Sequence, residues 1–84
     1  MTEDKKRPII TIYTSPGCGF CHMVMDYLDE HKIKYQTKDI FEDPKAMEFV
    51  LNNVGQAVAP IVTIGDEIIV GFDRPKIAKT LNLV

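Results

Sequence analysis

Two cysteines separated by only two residues, Cys18 and Cys21, constrain this chain more than any other feature of its sequence. They are the only cysteines among its 84 residues, so a network of disulfides cannot hold the fold together. A bridge between them would close too short a loop to restrict the unfolded chain appreciably. The chain must therefore build its own hydrophobic core, and we expect the pair to serve reactivity rather than stability.

The length and composition of the chain predict one compact domain. Its 84 residues leave no room for a second domain, and its formal net charge of −2 argues against nucleic acid as a partner. No apolar run is long enough to span a membrane, and the start of the chain shows no secretory signal, which predicts a cytoplasmic protein. We expect a flexible N-terminal tail at residues 1–7 and a folded domain at residues 8–84.

The first half of the chain alternates between strand and helix patterns. Residues 9–14 are β-branched or aromatic throughout, which predicts a strand buried on both faces. A helix is predicted from near the cysteines to about His31, because apolar residues recur at helical spacing at Cys21, Val24, Met25 and Leu28. Residues 34–39 alternate in character, which is typical of an outer strand with one solvated face.

A second helix is predicted at residues 44–54. Asp43 followed by Pro44 is typical of a helix N-cap and first helical position, and Gly55 is typical of a C-terminal stop. Within these limits the apolar residues recur at helical spacing, at Met47, Val50, Leu51 and Val54.

The last third of the chain predicts a hairpin and a short closing helix. Residues 61–64 and 67–70 are apolar strands joined by a two-residue connection that begins with Gly65, which predicts a type II′ turn. The closing helix is expected at residues 73–81, with Asp73 as its cap and an apolar face formed by Ile77, Ala78 and Leu81.

This order of elements, β-α-β-α-β-β-α, predicts an α/β fold. Two parallel strands joined by a helical crossover, followed by a hairpin, form a four-stranded mixed sheet flanked by helices. The cysteines then lie between the end of the first strand and the first turn of the first helix.

The position of the cysteines at a helix N-terminus favours thiol–disulfide chemistry. Unpaired backbone N–H groups and the positive end of the helix dipole stabilise a thiolate there, and Cys18 gains most because it lies at the tip. An exposed Cys18 thiolate attacks a disulfide sulfur, and the more shielded Cys21 then resolves the mixed disulfide. These two residues are the predicted catalytic pair.

Three other interpretations of the pair fit the sequence less well. A buried structural pair is disfavoured because a loop-to-helix junction flanked by glycines is a poor burial site. Cys18 to His22 also matches the CxxCH motif of c-type haem attachment, but the pattern around it is rich in strands and shows no export signal. Zinc bound by both cysteines with His22 and His31 matches no finger spacing. We therefore expect no metal site and treat the histidines as surface residues.

Two further motifs follow the cysteine pair at recognisable spacing. Val58-Ala59-Pro60 precedes the third predicted strand, and Gly71-Phe72-Asp73 follows the fourth. With these motifs, residues 8–83 resemble the glutaredoxin branch of the thioredoxin-like superfamily. The resemblance implies a thioredoxin-like, glutaredoxin-type fold and the activity of a thiol–disulfide oxidoreductase.

The resemblance also implies binding roles around the cysteines. It implies a cis bond before Pro60, where the statistics of X-Pro bonds alone predict trans, and it leaves the backbone of Ala59 available to pair with an extended substrate. Gly71 and Asp73 match the segment that receives the terminal carboxylate and amine of glutathione. An exposed Phe20 would shield the disulfide and contact partners. The predicted substrate- and glutathione-binding residues are Phe20, Val58, Ala59, Pro60, Gly71, Phe72 and Asp73.

Several positions depart from glutathione-using glutaredoxins and leave the electron donor open. Ser15 stands where they commonly carry lysine, Val58 replaces a threonine, and Gly71 is single where two glycines are usual. The segment from Gly71 to Pro75 partly resembles redoxins that are reduced by thioredoxin reductase and serve ribonucleotide reductase. Phe20 resembles the residue that precedes serine in monothiol, iron–sulfur-binding glutaredoxins, although this chain carries cysteine in place of that serine.

The sequence therefore predicts a dithiol oxidoreductase that reduces protein or glutathione mixed disulfides through Cys18 and Cys21. It implies disulfide-containing protein substrates, no tightly bound cofactor, glutathione as a possible co-substrate, and either glutathione or thioredoxin reductase as the source of electrons. The alternatives are a redoxin that supplies ribonucleotide reductase and a glutathione-dependent iron–sulfur carrier. We expect a monomer that binds neither nucleic acid nor membranes.

Overall fold

A computed structural model describes residues 9–81, so the predicted flexible tail at residues 1–7 lies outside the described residues. The order of elements is the predicted one, β-α-β-α-β-β-α. In chain order the elements are β1 (Ile10–Thr14), α1 (Gly19–Glu30), β2 (Gln36–Asp39), α2 (Pro44–Val54), β3 (Ile61–Ile64), β4 (Glu67–Val70) and α3 (Arg74–Thr80).

The four strands form one mixed sheet in the order β2-β1-β3-β4. β1 pairs in parallel with β2, while the β1–β3 and β3–β4 pairs are antiparallel. Because α1 connects the parallel pair, it lies in a crossover between β1 and β2. The predicted four-stranded mixed sheet, with its parallel pair and its hairpin, is therefore confirmed.

β1 is buried on both faces, as predicted, but it begins at Ile10 rather than at residue 9, and Ile9 is 74% exposed. Ile10 and Ile12 point to one side of the sheet and Tyr13 to the other, since successive side chains of a strand alternate between faces. Thr11 is also buried, and its carbonyl accepts a hydrogen bond from the Thr63 hydroxyl at 3.4 Å. The strand therefore contributes to two separate hydrophobic clusters.

These two clusters make the fold a three-layer structure. One cluster packs α1 and α3 against the sheet, and its buried members are Ile10, Ile12, Val24, Leu28, Val62, Ile64, Ile69 and Ile77. The other packs α2 against the opposite face, and its buried members are Tyr13, Ile40, Ala46, Val50 and Ile61. Both faces of the central strands are thus removed from water.

Local capping defines the limits of α2. The Asp43 carboxylate accepts hydrogen bonds from the backbone N–H groups of Lys45 and Ala46 at 3.1 and 3.4 Å. Pro44 occupies the first turn, and Gly55 ends the helix at a φ of +93°, in the left-handed region that favours glycine. The predicted bounds of this helix are confirmed.

The buried face of α2 differs in part from the prediction. Leu51 was expected in the core but is 45% exposed, whereas Ala46 and Val50 are buried. The helix is turned so that Phe49 stacks on Tyr13 with ring centroids 5.0 Å apart. Leu51 lies about 100° around the helix from Val50, on the side away from that stack, and therefore faces solvent.

The second strand is shorter and more exposed than residues 34–39 predict. Only Gln36–Asp39 form β2, at the edge of the sheet, and no residue of this strand is buried. The apolar contacts on this side come from half-buried Tyr35, just before the strand, and buried Ile40, just after it. An edge strand is paired on one side only, so its residues are more exposed than the alternating pattern suggests.

The β3–β4 hairpin has the predicted two-residue connection. Gly65 has a φ of +59°, and Lys32 is the only non-glycine residue among residues 9–81 with a positive φ. A positive φ at the first turn residue alone fits type II′ rather than type I′. Within the described part of the chain, no helix is long and apolar enough to cross a membrane.

Replacing Asp43 with alanine removes the acceptor that caps α2. We expect Asp43→Ala to lower the free energy of unfolding by about 1 kcal/mol, because two backbone N–H groups lose their partner. Asp43→Asn keeps a side-chain oxygen at the same position and should retain most of the stability. Urea denaturation of the three proteins tests this, and equal losses in the two variants would contradict the capping role.

Candidate active site

The strand register brings three connecting segments to one end of the sheet. Tyr13 of β1 pairs with Ile61 of β3, which in turn pairs with Val70 of β4. The chain leaves β1 toward the cysteines, enters β3 from Pro60 and leaves β4 through Gly71 at this same end. The residues that the sequence predicts to form the site therefore lie just before or just after strands at this end of the sheet.

Cys18 and Cys21 lie on the first turn of α1. Cys18 is the N-cap residue, and its Sγ accepts a hydrogen bond from the Cys21 backbone N–H at 3.2 Å. The two residues form a disulfide with their Cα atoms 5.3 Å apart. Cys18 is half-buried, whereas Cys21 is only 2% exposed. This difference in access is what the sequence predicts for an attacking and a resolving sulfur.

Glycines keep the approach to Cys18 open. Gly17 has a φ of +74°, a conformation that L side chains rarely adopt, and the turn is closed by a hydrogen bond from the Cys18 N–H to the Ser15 carbonyl at 3.3 Å. A Cβ at Gly17 or Gly19 would meet no atom within 4 Å. Gly17 is thus needed for the turn, and the space around both glycines is open.

The peptide bond between Ala59 and Pro60 is cis. The trans geometry expected from the statistics of X-Pro bonds is wrong, and the resemblance is correct on this point. The Pro60 carbonyl accepts a hydrogen bond from the Gly71 N–H at 2.8 Å, which joins the entry to β3 to the exit from β4. Val58 and Ala59 are half-buried, and no hydrogen bond among residues 9–81 uses the Ala59 backbone. Its amide and carbonyl remain available to a partner.

The segment Gly71–Asp73 turns the chain from β4 into α3. Gly71 has a φ of +82°, and half-buried Phe72 packs against the cluster beneath α1 and α3. Asp73 is exposed, and its Oδ1 accepts a hydrogen bond from the Lys76 N–H at 3.2 Å. The carboxylate is therefore the N-cap of α3, as predicted, and one of its oxygens is engaged in that role.

Two aromatic rings are exposed at the same end of the sheet. Phe20, one residue before Cys21, is 61% exposed, and Phe41, just after β2, is 63% exposed. The Ile40 N–H donates to the Thr14 carbonyl at 3.0 Å, so the turn that carries Phe41 adjoins the end of β1. Sequence reasoning included Phe20 but missed Phe41, because one aromatic residue after an edge strand forms no motif.

Tyr27 of α1 is a further residue that sequence reasoning missed. Its ring lies 6.2 Å from the ring of Phe72 in an edge contact, and the Arg74 guanidinium lies 5.7 Å from its centroid. His31 contacts the same ring at 4.7 Å. The cysteine helix is therefore joined by side chains to the segment that follows β4. A tyrosine at a helical position carries no sequence signal of such a contact.

The histidines lie on the surface of α1 and its C-terminal cap. His22 and His31 are both exposed, and Cys21 beside His22 is bound in the disulfide. Among residues 9–81, no group of three or more His, Cys, Asp or Glu side chains is placed to hold a metal ion.

Two tyrosines have perturbed ionisation, and both stay neutral near pH 7. Burial, with a smaller contribution from the Asp43 carboxylate, raises the pKa of Tyr13 above its ordinary value. Burial, followed by a hydrogen bond to Asp29, raises the pKa of Tyr35. Neither phenol is therefore a source of negative charge near the cysteines.

A family model described as Glutaredoxin matches residues 10–69. The glutaredoxin-like protein NrdH of Lactococcus lactis is 34% identical over 71 residues, which cover 84% of this chain and 97% of the relative. The NrdH-redoxin of Escherichia coli has 30% identity and a TM-score of 0.72, covering 86% of this chain and 92% of that one. A thioredoxin-like protein, BC3987, solved as a mutant, has 28% identity and a TM-score of 0.82, covering 89% and 96%. These similarities support the thioredoxin-like fold predicted above.

The difference in access between the two sulfurs predicts a difference in reactivity. In the reduced protein we expect iodoacetamide at pH 7 to modify Cys18 at least about tenfold faster than Cys21, because both thiolate character and exposure favour the outer sulfur. Brief alkylation followed by peptide mapping measures the two rates in one sample. The single-cysteine variants Cys18→Ser and Cys21→Ser control for crosstalk between the sulfurs. Equal rates would rule out the assigned roles.

Proposed function

This chain belongs to the glutaredoxin family, and from that premise we propose that it is a dithiol thiol–disulfide oxidoreductase. Its substrates would be disulfides in proteins and mixed disulfides between proteins and glutathione. The observation that carries the proposal is the pairing of a half-buried Cys18 at the tip of α1 with a fully buried Cys21 one turn inside. This arrangement gives one sulfur access to substrate and keeps the other for resolution.

The reaction begins with the Cys18 thiolate. It attacks one sulfur of the substrate disulfide, forming a bond between Cys18 and that sulfur while the other substrate sulfur leaves as a thiolate and takes a proton from solvent. The N–H groups of the first turn of α1 stabilise the thiolate before attack. In the disulfide form, the Cys21 N–H is such a donor and lies 3.2 Å from Cys18 Sγ.

Cys21 completes the transfer. Its thiol loses a proton, and the resulting thiolate attacks Cys18 Sγ, breaking the mixed disulfide and releasing the second substrate thiol. Two electrons have then passed to the substrate, and the protein holds the Cys18–Cys21 disulfide seen in the structure. The step needs no rearrangement of α1, because both sulfurs belong to the same helical turn.

Substrate recognition is assigned to the residues around the disulfide. The unpaired backbone of Ala59 beside Pro60 would hydrogen-bond an extended segment of the substrate, as one strand adds to another. The exposed ring of Phe20 would contact the apolar part of a partner. Val58 and Phe72 would line the site, and Gly71 and Asp73 would receive the charged ends of glutathione.

Glutathione is the proposed reductant, and no tightly bound cofactor takes part. A second candidate is reduction by thioredoxin reductase, with ribonucleotide reductase as the recipient of electrons. It is favoured by the similarity to NrdH proteins, one of which is described as having a thioredoxin-like activity profile. Capping of α3 by Asp73 also favours it, because that carboxylate has one oxygen fewer for glutathione.

We propose that the protein acts in the cytoplasm as a monomer.

Offering two reductants separately tests the source of electrons. Oxidised protein is mixed either with glutathione, glutathione reductase and NADPH, or with thioredoxin reductase and NADPH, and NADPH consumption is followed by absorbance. Oxidation of about one NADPH per protein disulfide in the first mixture supports the glutathione-dependent enzyme, and the same result in the second supports the redoxin. Failure in both mixtures would refute both assignments of the donor.

Substitution of the two cysteines should give different defects. We expect Cys18→Ser to abolish reduction of insulin disulfides, because no attacking thiolate remains. Cys21→Ser still attacks but cannot resolve, so it should accumulate a mixed disulfide with insulin chains that is visible by non-reducing electrophoresis and disappears with dithiothreitol. Equal residual reduction of insulin by the two variants would contradict the assigned order of steps.

A further inference from the structure

The ring of Tyr27 connects the cysteine helix to the segment that follows β4. It lies on α1, six residues after Cys21, and makes an edge contact with Phe72 at 6.2 Å. The Arg74 guanidinium lies over the same ring at 5.7 Å, at a distance typical of a cation–π interaction. Phe72 and Arg74 flank Asp73, so the ring contacts the segment on both sides of that residue.

Hydrogen bonds hold this segment at its two ends. Gly71 donates to the Pro60 carbonyl at 2.8 Å, and Asp73 caps α3 through the Lys76 N–H at 3.2 Å. Neither bond reaches α1, which carries the reactive sulfur. The side chains of Phe72 and Arg74 supply the direct contacts to α1 through Tyr27. Besides the packing of Phe72 against the cluster beneath α1 and α3, the Tyr27 ring is therefore the side chain of α1 that contacts this segment on both sides of Asp73.

We propose that Tyr27 is a positioning residue for substrate binding. By holding Phe72 and Arg74, it sets the distance between the Gly71–Asp73 segment and Cys18, and thereby the affinity for a disulfide substrate bound across both. The proposal rests on the proposed function, in which this segment receives glutathione. Tyr27 does not touch the reacting sulfurs, so its loss should weaken binding and leave the chemical step intact.

The chain contains a matched residue that separates this role from a purely structural one. Tyr35 is, like Tyr27, a half-buried tyrosine packed against the cluster beneath α1 and α3. Its hydroxyl donates to Asp29 at 3.1 Å, about 200° around α1 from Tyr27. Tyr35→Leu should therefore destabilise the fold by a similar mechanism without disturbing the segment after β4. It is the control for loss of an aromatic side chain from the same core.

A single-turnover experiment measures binding and chemistry separately and requires no choice of reductant. Pre-reduced protein is mixed with increasing concentrations of a mixed disulfide between glutathione and a one-cysteine peptide, and released peptide thiol is quantified after acid quench. We expect Tyr27→Leu to raise the half-saturating concentration about threefold to tenfold, the effect of losing one aromatic contact, with the maximal rate within about twofold of wild type. Tyr27→Phe, which keeps the ring, should restore wild-type values.

Two further measurements decide the interpretation. Tyr35→Leu should leave the half-saturating concentration unchanged even if its melting temperature falls as far as that of Tyr27→Leu. The double variant Tyr27→Leu/Phe72→Leu should bind substrate no more weakly than the single variant that binds it less well. The reason is that the effects of two substitutions are not additive when one residue acts through the other. Equal effects of Tyr27→Leu and Tyr35→Leu, or full additivity with Phe72→Leu, would overturn the positioning role. Absence of any wild-type reaction would instead refute the proposed function.

Discussion

The burial of β1 on both faces is the constraint on which the rest of the structure depends. The strand is hydrogen-bonded to β2 on one edge and to β3 on the other, and helices cover both of its faces. Because β1 is an inner strand, the chain that leaves it at Thr14 emerges between the ends of its neighbours. A reactive group placed a few residues later is therefore surrounded by their connecting segments. The Cys18–Cys21 pair, Pro60 and Gly71 lie at the same end of the sheet for this reason.

At the start of α1, one interaction serves structure and chemistry together. A helix N-terminus leaves several backbone N–H groups unpaired, and a side chain with an acceptor normally satisfies one of them. Here the acceptor is the sulfur of Cys18, which receives the Cys21 N–H at 3.2 Å. Serine or aspartate would cap the helix at least as well but would not exchange disulfides. The choice of cysteine as N-cap therefore gives a functional residue a structural position that the helix already requires.

The sequence was a good guide wherever local interactions decide the structure. The bounds of α2 follow from Asp43, Pro44 and Gly55, which act within one turn of the helix ends, and the order of all seven elements follows from hydrophobic periodicity. The exposed position of Leu51 could not be predicted, because the rotation of a helix depends on what it packs against. The cis bond at Pro60 followed from family resemblance and not from propensity. The contact of Tyr27 with Phe72 could not be predicted, because the two residues are distant in sequence and both have the pattern of ordinary core residues.

The two sulfurs have different surroundings, which suit them to different steps of the proposed reaction. The Cys21 N–H, which donates to Cys18 Sγ, binds a thiolate more strongly than a disulfide sulfur, because a charged acceptor forms the stronger hydrogen bond. In the proposed reaction, the helix tip would therefore favour the reduced form and prepare Cys18 for attack, at some cost to the reducing power of the protein. Burial acts in the opposite direction at Cys21, since an apolar site disfavours the ionised form. Such a site suits a sulfur that resolves the mixed disulfide in the proposed reaction rather than one that attacks first. In the proposed reaction, the order of the two steps would follow from one helical turn, in which Cys18 is half-buried and Cys21 is buried.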